Sequence, residues 1–177
     1  MAVTYTLISS STLGSSTSSV TFSSIPNTYT DLALRITARS TRASASSNGF
    51  TINLNGATSN YSYTELSQNG TTASSSRDTI SGGNTYLYGG VIAASNLDAN
   101  TFSTFEIYIP AYTSSQNKPV SITSVMENNA STPYEQHLVS GLYSSTTTIS
   151  SVTLKSSDGG FNFAANSSFY LYGIKNS

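Results

Sequence analysis

The 177-residue sequence has no cysteine, no tryptophan, one histidine and only 15 charged side chains, seven basic and eight acidic. Each shortage excludes something. Without cysteine there is no disulfide framework, no thiolate metal site and no cysteine nucleophile. One histidine with four Asp and four Glu leaves little material for acid–base or metal chemistry. Seven basic residues and a net charge of −1 argue against nucleic acid as a partner, because that affinity comes mostly from neutralising phosphates. No apolar run approaches the roughly 18 residues that span a bilayer. The opening segment, Met1 to Ser10, lacks the basic start and continuous apolar stretch of a secretory signal.

What fills the space is hydroxyl. There are 37 serines and 25 threonines, 62 of the 177 positions. Such a composition is compatible with a disordered chain, but disorder goes with few aromatic and β-branched residues. Here Phe and Tyr total 19, and they are placed periodically. A chain of this length can bury about two-thirds of its unfolded surface, enough for one core. One domain over residues 1–177 is expected.

Apolar and polar residues alternate in short runs, the pattern of strands with one buried face. Val3, Tyr5 and Leu7 form one such run, then Val20 and Phe22, Leu32, Leu34 and Ile36, and Phe50, Ile52 and Leu54. Tyr61 and Tyr63 follow, then Phe105, Ile107 and Ile109, and Val120 and Ile122 with Val125 or Met126. Leu138, Val139 and Leu142, Val152 and Leu154, and Phe169 and Leu171 opposite Tyr170 and Tyr172 complete about ten strands. Asn48-Gly49, Asn55-Gly56, Asn69-Gly70, Pro26-Asn27, Gln116 to Pro119 and Asp158-Gly159-Gly160 supply turn chemistry between them. Ser95 to Asp98 predicts at most one short helical turn. The predicted class is all-β: an antiparallel sandwich of jelly-roll type, with a lipocalin-like barrel as the weaker alternative.

The search for chemistry returns mostly structural roles. His137 is the sole candidate general base, and no G-x-S-x-G elbow accompanies it. It is expected on a strand surface or in a loop, satisfied by a neighbour. Glu135 would share its strand face, giving two metal ligands without a third. Asp31, Asp98 and Asp158 fall at turns, where Asp caps backbone amides, Glu106 alternates outward, and no Asp-x-Asp calcium loop occurs. Glu65, Glu127 and Glu135 have no evident local role, so a glycosidase pair would have to come from them. Gly82-Gly83 and Gly89-Gly90 lack a phosphate loop's Lys; the second pair reads as a bulge or a close backbone approach within a strand. No catalytic residue, cofactor or metal is expected.

Candidate partner contacts are two. Arg35, Arg39 and Arg42 concentrate three of the seven basic residues within eight positions, with Arg35 on a solvent face. Tyr86 with Tyr88, Tyr170 with Tyr172, and Tyr61 with Tyr63 each share a strand face, as aromatic platforms for sugars or interfaces do.

The segment Ser19-Val20-Thr21-Phe22-Ser23-Ser24-Ile25-Pro26-Asn27-Thr28-Tyr29-Thr30-Asp31-Leu32 resembles one that recurs in small virion proteins of tailed bacteriophages. Phe50 to Gly56 with Tyr61-Ser62-Tyr63, and the closing Ser168-Phe169-Tyr170-Leu171-Tyr172-Gly173-Ile174, are similar to strands of the same proteins. Together these cover about a third of the chain. The resemblance implies a β-sandwich on the surface of a phage particle, decorating the capsid or forming a head appendage, commonly as a homotrimer. Its partners would be capsid or appendage proteins, with neither nucleic acid nor membrane involved. The expected function is non-enzymatic and structural; the alternative is a tail-fibre or receptor-binding head that adheres to host carbohydrate. A sparsely charged surface fits, since there are few ion pairs for salt to screen.

Overall fold

A computed structural model describes residues 4–78, 84–128, 134–156 and 160–175. Among these there is no helix. Twelve strands form two antiparallel sheets: β1 (Thr4–Thr12), β2 (Ser19–Phe22), β3 (Asp31–Ala38), β4 (Ser47–Leu54), β5 (Tyr61–Asn69), β6 (Thr72–Asp78), β7 (Leu87–Ala93), β8 (Ser103–Ile109), β9 (Lys118–Met126), β10 (Glu135–Tyr143), β11 (Val152–Ser156) and β12 (Ser168–Lys175). The expected helical turn at Ser95–Asp98 is a plain turn. The predicted Val3, Gly82-Gly83, Asp158 and Gly159 lie outside the described residues.

The larger sheet runs β1-β12-β3-β8-β9-β10-β5-β6 and the smaller runs β2-β11-β4-β7. Setting aside β5, β6, β9 and β10 leaves two four-stranded layers, β1-β12-β3-β8 and β2-β11-β4-β7, the paired Greek keys of a jelly roll. Two antiparallel hairpins, β5–β6 after β4 and β9–β10 after β8, extend the first layer beyond β8 and double its width. Beyond the ten predicted runs stand β6, in this extension, and β7, in the smaller sheet around Gly89-Gly90; the extension carries most of the polar chemistry.

The core is what the alternation requires. Leu32, Leu34 and Ile36 of β3, Phe105, Ile107 and Ile109 of β8, and Phe169 and Leu171 of β12 face Phe22, Ile52, Leu54, Leu87, Val152 and Leu154 of the opposite layer. Each buried Leu, Ile or Phe contributes on the order of 1.5–3 kcal/mol. Phe50 packs at 4.5 Å from Phe105, and Phe163 at 5.0 Å from Phe169. At Asn55-Gly56, φ values of 55° and 66° make the expected tight turn.

Three expectations fail, each for a tertiary reason. Asn48-Gly49 is not a turn but part of β4, with Asn48 buried and its amide donating to Ser40 and Ser156. Tyr5 and Leu7 are exposed, because the register with β12 puts them on the outer face of the sheet beside Tyr172 and not on the core side. In β10 the inward residues are His137, Val139, Gly141 and Tyr143, so Leu138 faces outward, 53% exposed. In β9 the inward choice is Met126, and Val125 points out.

Candidate functional site

Two features gather the side chains that the jelly-roll core does not use. Both belong to the extended sheet, one on each of its faces.

The inner feature is built around His137. In the ladder of β10 with β5, Val139 stands opposite Glu65, and in the ladder with β9, His137 stands opposite Ser124. Alternation then places Glu65, His137, Glu135 and Ser124 on the same inward face. His137 is not the surface residue expected but is 6% exposed. Its Nδ1 meets Glu65 Oε1 in a short contact, and its Nε2 lies 3.4 Å from Glu135 Oε2. Ser76 Oγ donates to Glu65 Oε2 at 3.2 Å, fixing that carboxylate. From the opposite layer Tyr88 closes the site edge-on, its ring 6.1 Å from the imidazole, and Tyr63 packs 5.9 Å from Tyr88. Tyr63 in turn donates to Asp78.

The sequence leaves Glu65, Glu127 and Glu135 as carboxylates without a local role and offers no means to tell which two His137 joins. The strands holding Glu65 and His137 are brought together over 72 residues of chain.

Burial disfavours a charged imidazole, but the contacts to Glu135 and Glu65 and their two negative charges overcome it. The His137 pKa rises from 6.5 to about 9. The 3.4 Å approach of Glu135 is long for a good hydrogen bond, so its hold is chiefly charge, whereas Glu65 binds directly. An imidazolium with a carboxylate on each side keeps its proton at neutral pH, whereas a general base needs a pKa near the working pH. Ser124 beside it is 1% exposed, and its Oγ has no hydrogen-bond partner among the described residues. Nor do the carboxylates suit a metal: they approach opposite ring nitrogens and do not converge on a point. Among the described residues no three His, Cys, Asp or Glu side chains form a metal-holding group.

A folded-state pKa raised from 6.5 to about 9 gives stability that is complete below pH 6.5 and is lost as pH rises through 9. The loss is about 3 kcal/mol over that window, at roughly 1.4 kcal/mol per unit. Urea melts at pH 6.5 and 9.5 should differ by that amount in the wild type, and far less in His137→Gln.

The outer feature is the solvent face of the eight-stranded sheet. Among the described residues seven large apolar side chains are exposed, and six of them are here: Tyr5, Leu7, Leu66, Tyr108, Val125 and Leu138. The registers fix this. Leu7 pairs with Tyr172, Tyr172 with Ala33, Ala33 with Tyr108, and Leu138 with Leu66. A shallow groove of about 330 Å³ runs over Leu66, Val125 and Leu138, and a second of about 210 Å³ over Tyr5, Arg35, Glu106 and Tyr108. Tyr170 and Tyr172 of β12 stack at 6.5 Å beside the second groove, and Tyr5 meets Tyr172 edge-on at 6.3 Å. Arg35 and Glu106, opposite one another in the β3–β8 ladder, pair at 3.2 Å with both side chains 61% exposed.

Of the candidate partner contacts, this face therefore carries Arg35, Tyr170 and Tyr172. The other arginines are engaged within the chain. Buried Arg39 donates from Nη1 to the carbonyls of Asp98 and Thr101, and from Nη2 to those of Ser95 and Leu97, tying down the turn after β7. Arg42 donates to Ser47 O and Asn48 Oδ1 and lies over the Phe161 ring. Tyr88 packs inward on His137 and Tyr63, while Tyr86, which precedes β7, is exposed. Tyr61 is buried, accepting from Leu54 N and donating to Leu54 O, and burial pushes its hydroxyl up to about 12. A Tyr61–Tyr63 platform is thus absent.

Fold and site together define an extended jelly-roll sandwich with one broad, partly apolar sheet face. No protein-family model matches the chain, and no curated protein matches it.

Proposed function

We propose that this chain is a non-enzymatic structural protein of a bacteriophage particle, assembling stoichiometrically with neighbouring subunits through the outer face of its eight-stranded sheet. The observation that carries the reading is the gathering of six of seven exposed large apolar side chains on that face. Scattered exposed apolar residues need no explanation, but their gathering on one face, as a group at Tyr5, Leu7 and Tyr108 and a second at Leu66, Val125 and Leu138, marks an interaction surface. The two inserted hairpins support it further. They contribute Leu66, Val125 and Leu138 to the face, surface that the eight jelly-roll strands alone do not have. The phage assignment rests on the sequence resemblance and on the salt-insensitive, hydroxyl-rich surface.

The test is incorporation into particles. Leu138→Asp and Leu66→Asp are both outward changes on one ladder pair and should leave the fold intact. Added to phage particles lacking this protein, the wild type should appear in stoichiometric amount by gel and electron microscopy, and the double variant at less than a tenth of it. Equal incorporation of the two removes the assigned face. Failure of the wild type to incorporate, with binding to host glycans on an array, would replace assembly by adhesion.

A further inference from the structure

We propose that the neighbour covering this face is a second copy of the same chain, related by a twofold axis that runs parallel to the strands between β3 and β8. The inference rests on the assembly role of the face and names its partner.

A twofold interface must match itself, so every feature needs its counterpart across the axis. Arg35 and Glu106 are ladder partners on the two strands that flank the axis, at the same height. Rotation about it lays Arg35 over Glu106 of the partner subunit, and Glu106 over the partner's Arg35. One exposed ion pair becomes a ring of four alternating charges. Being exposed, the pair contributes little within one chain; with water excluded between two copies it gains strength and sets the register.

The rest of the face divides about the same line. On one side, β12 and β1 carry Tyr170, Tyr172, Tyr5 and Leu7; on the other, β9 and β10 carry Val125 and Leu138. The rotation sets β12 over the partner's β9 and β1 over its β10; the registers then bring Tyr170 over Thr123 of the partner subunit, the residue that lies next to Val125 on β9 and opposite Leu138 on β10. An in-plane axis across the strands at the height of the ion pair would put each charge on its like. The axis along them is the one that the charges favour.

The area is adequate. Six overlapping strands spaced about 4.8 Å, with about seven residues each, give a footprint of roughly 29 by 23 Å. That is about 670 Å² per copy before the relief of the side chains, close to the roughly 800 Å² of a standard interface. The pair at its centre sums to zero, and the Asp31 carboxylate on the same side of β3 is buried, accepting from Tyr108 Oη and Ala111 N.

Charge reversal tests it on the full chain. Arg35→Glu leaves two acidic groups at the centre of the face, and Glu106→Arg leaves two basic ones. Sedimentation velocity should show the wild type forming dimers and each variant self-associating at least tenfold more weakly. An equimolar mixture of the two variants should recover a 1:1 dimer, because acidic centre then meets basic centre. That recovery also shows that both variants are folded. A wild type that stays monomeric into the millimolar range overturns the pairing, as do a trimer indifferent to both reversals and a mixture no stronger than its components. If the pairing fails while Leu138→Asp and Leu66→Asp still block incorporation into particles, the face remains an assembly surface and only its partner was misassigned.

Discussion

His137→Leu is expected to destabilise the fold by about 4 kcal/mol at pH 7, measured by urea unfolding. Leucine fills similar space, so the loss is electrostatic. The Glu65 and Glu135 carboxylates would remain on the inner face of the sheet, each about nine-tenths buried, without the cation between them. Removing one partner of a buried ionic group costs roughly 3–5 kcal/mol because the remainder is left uncompensated. The companion triple replacement, Glu65→Met with His137→Leu and Glu135→Met, is expected near wild-type stability or above it. Exchanging a whole buried ionic cluster for apolar residues is often neutral or better. If the single change is harmless at pH 7, the imidazole is not charged there. If the triple is as damaging as the single, the cluster stabilises by more than its ion pairs.

Gly90→Ala is expected to cost a similar amount, about 4 kcal/mol. Two independent terms add here. Gly90 sits at φ of 94°, a conformation open to glycine and costing other residues roughly 1–2 kcal/mol. A Cβ at this position would also collide with Ser124 Oγ and press on His137 Cβ; overpacking in a well-filled interior costs about 1–3 kcal/mol more. The cause is the β-bulge that the ladder of β4 with β7 contains between Gly49 and Thr51, where β7 passes Tyr88 to Val91. The bulge lets β7 run close against β9 and β10. Ser124→Ala removes the hydroxyl that the new Cβ would meet, so Gly90→Ala made in that background should cost less than in the wild type, by the part of the loss that comes from the collision. Equal stability of wild type and Gly90→Ala would mean that β7 lies further from the extended sheet.

These two positions show where legibility stopped. The sequence reading marked Gly89-Gly90 as a bulge or close approach, because paired glycines inside an apolar run have no other ready cause. What they approach was invisible. Likewise Glu65 and Glu135 stand out, with Glu127, only as carboxylates lacking a turn or an outward slot. His137 was misplaced on the surface because a period of two marks two faces without saying which is inside. In Leu138-Val139 the run offered two adjacent apolar residues, and the choice fell to the layer beneath. Val139, with His137 two residues before it, lies under β7, and Leu138 was left in water.

By itself the sequence determined the class, the strands of the jelly roll and the hydroxyl-clad solvent faces. Those follow from alternation and turn residues, which act over a few neighbouring positions. Absence of cysteine and scarcity of charge were likewise readable directly. Only the tertiary structure decided that two hairpins widen one layer to eight strands, that a buried acid–histidine–acid cluster lies beneath the widened part, and that the apolar residues above it form one face. Each depends on registers between strands tens of residues apart, and register is set by which face the opposite layer buries. Local pattern carries no record of that choice.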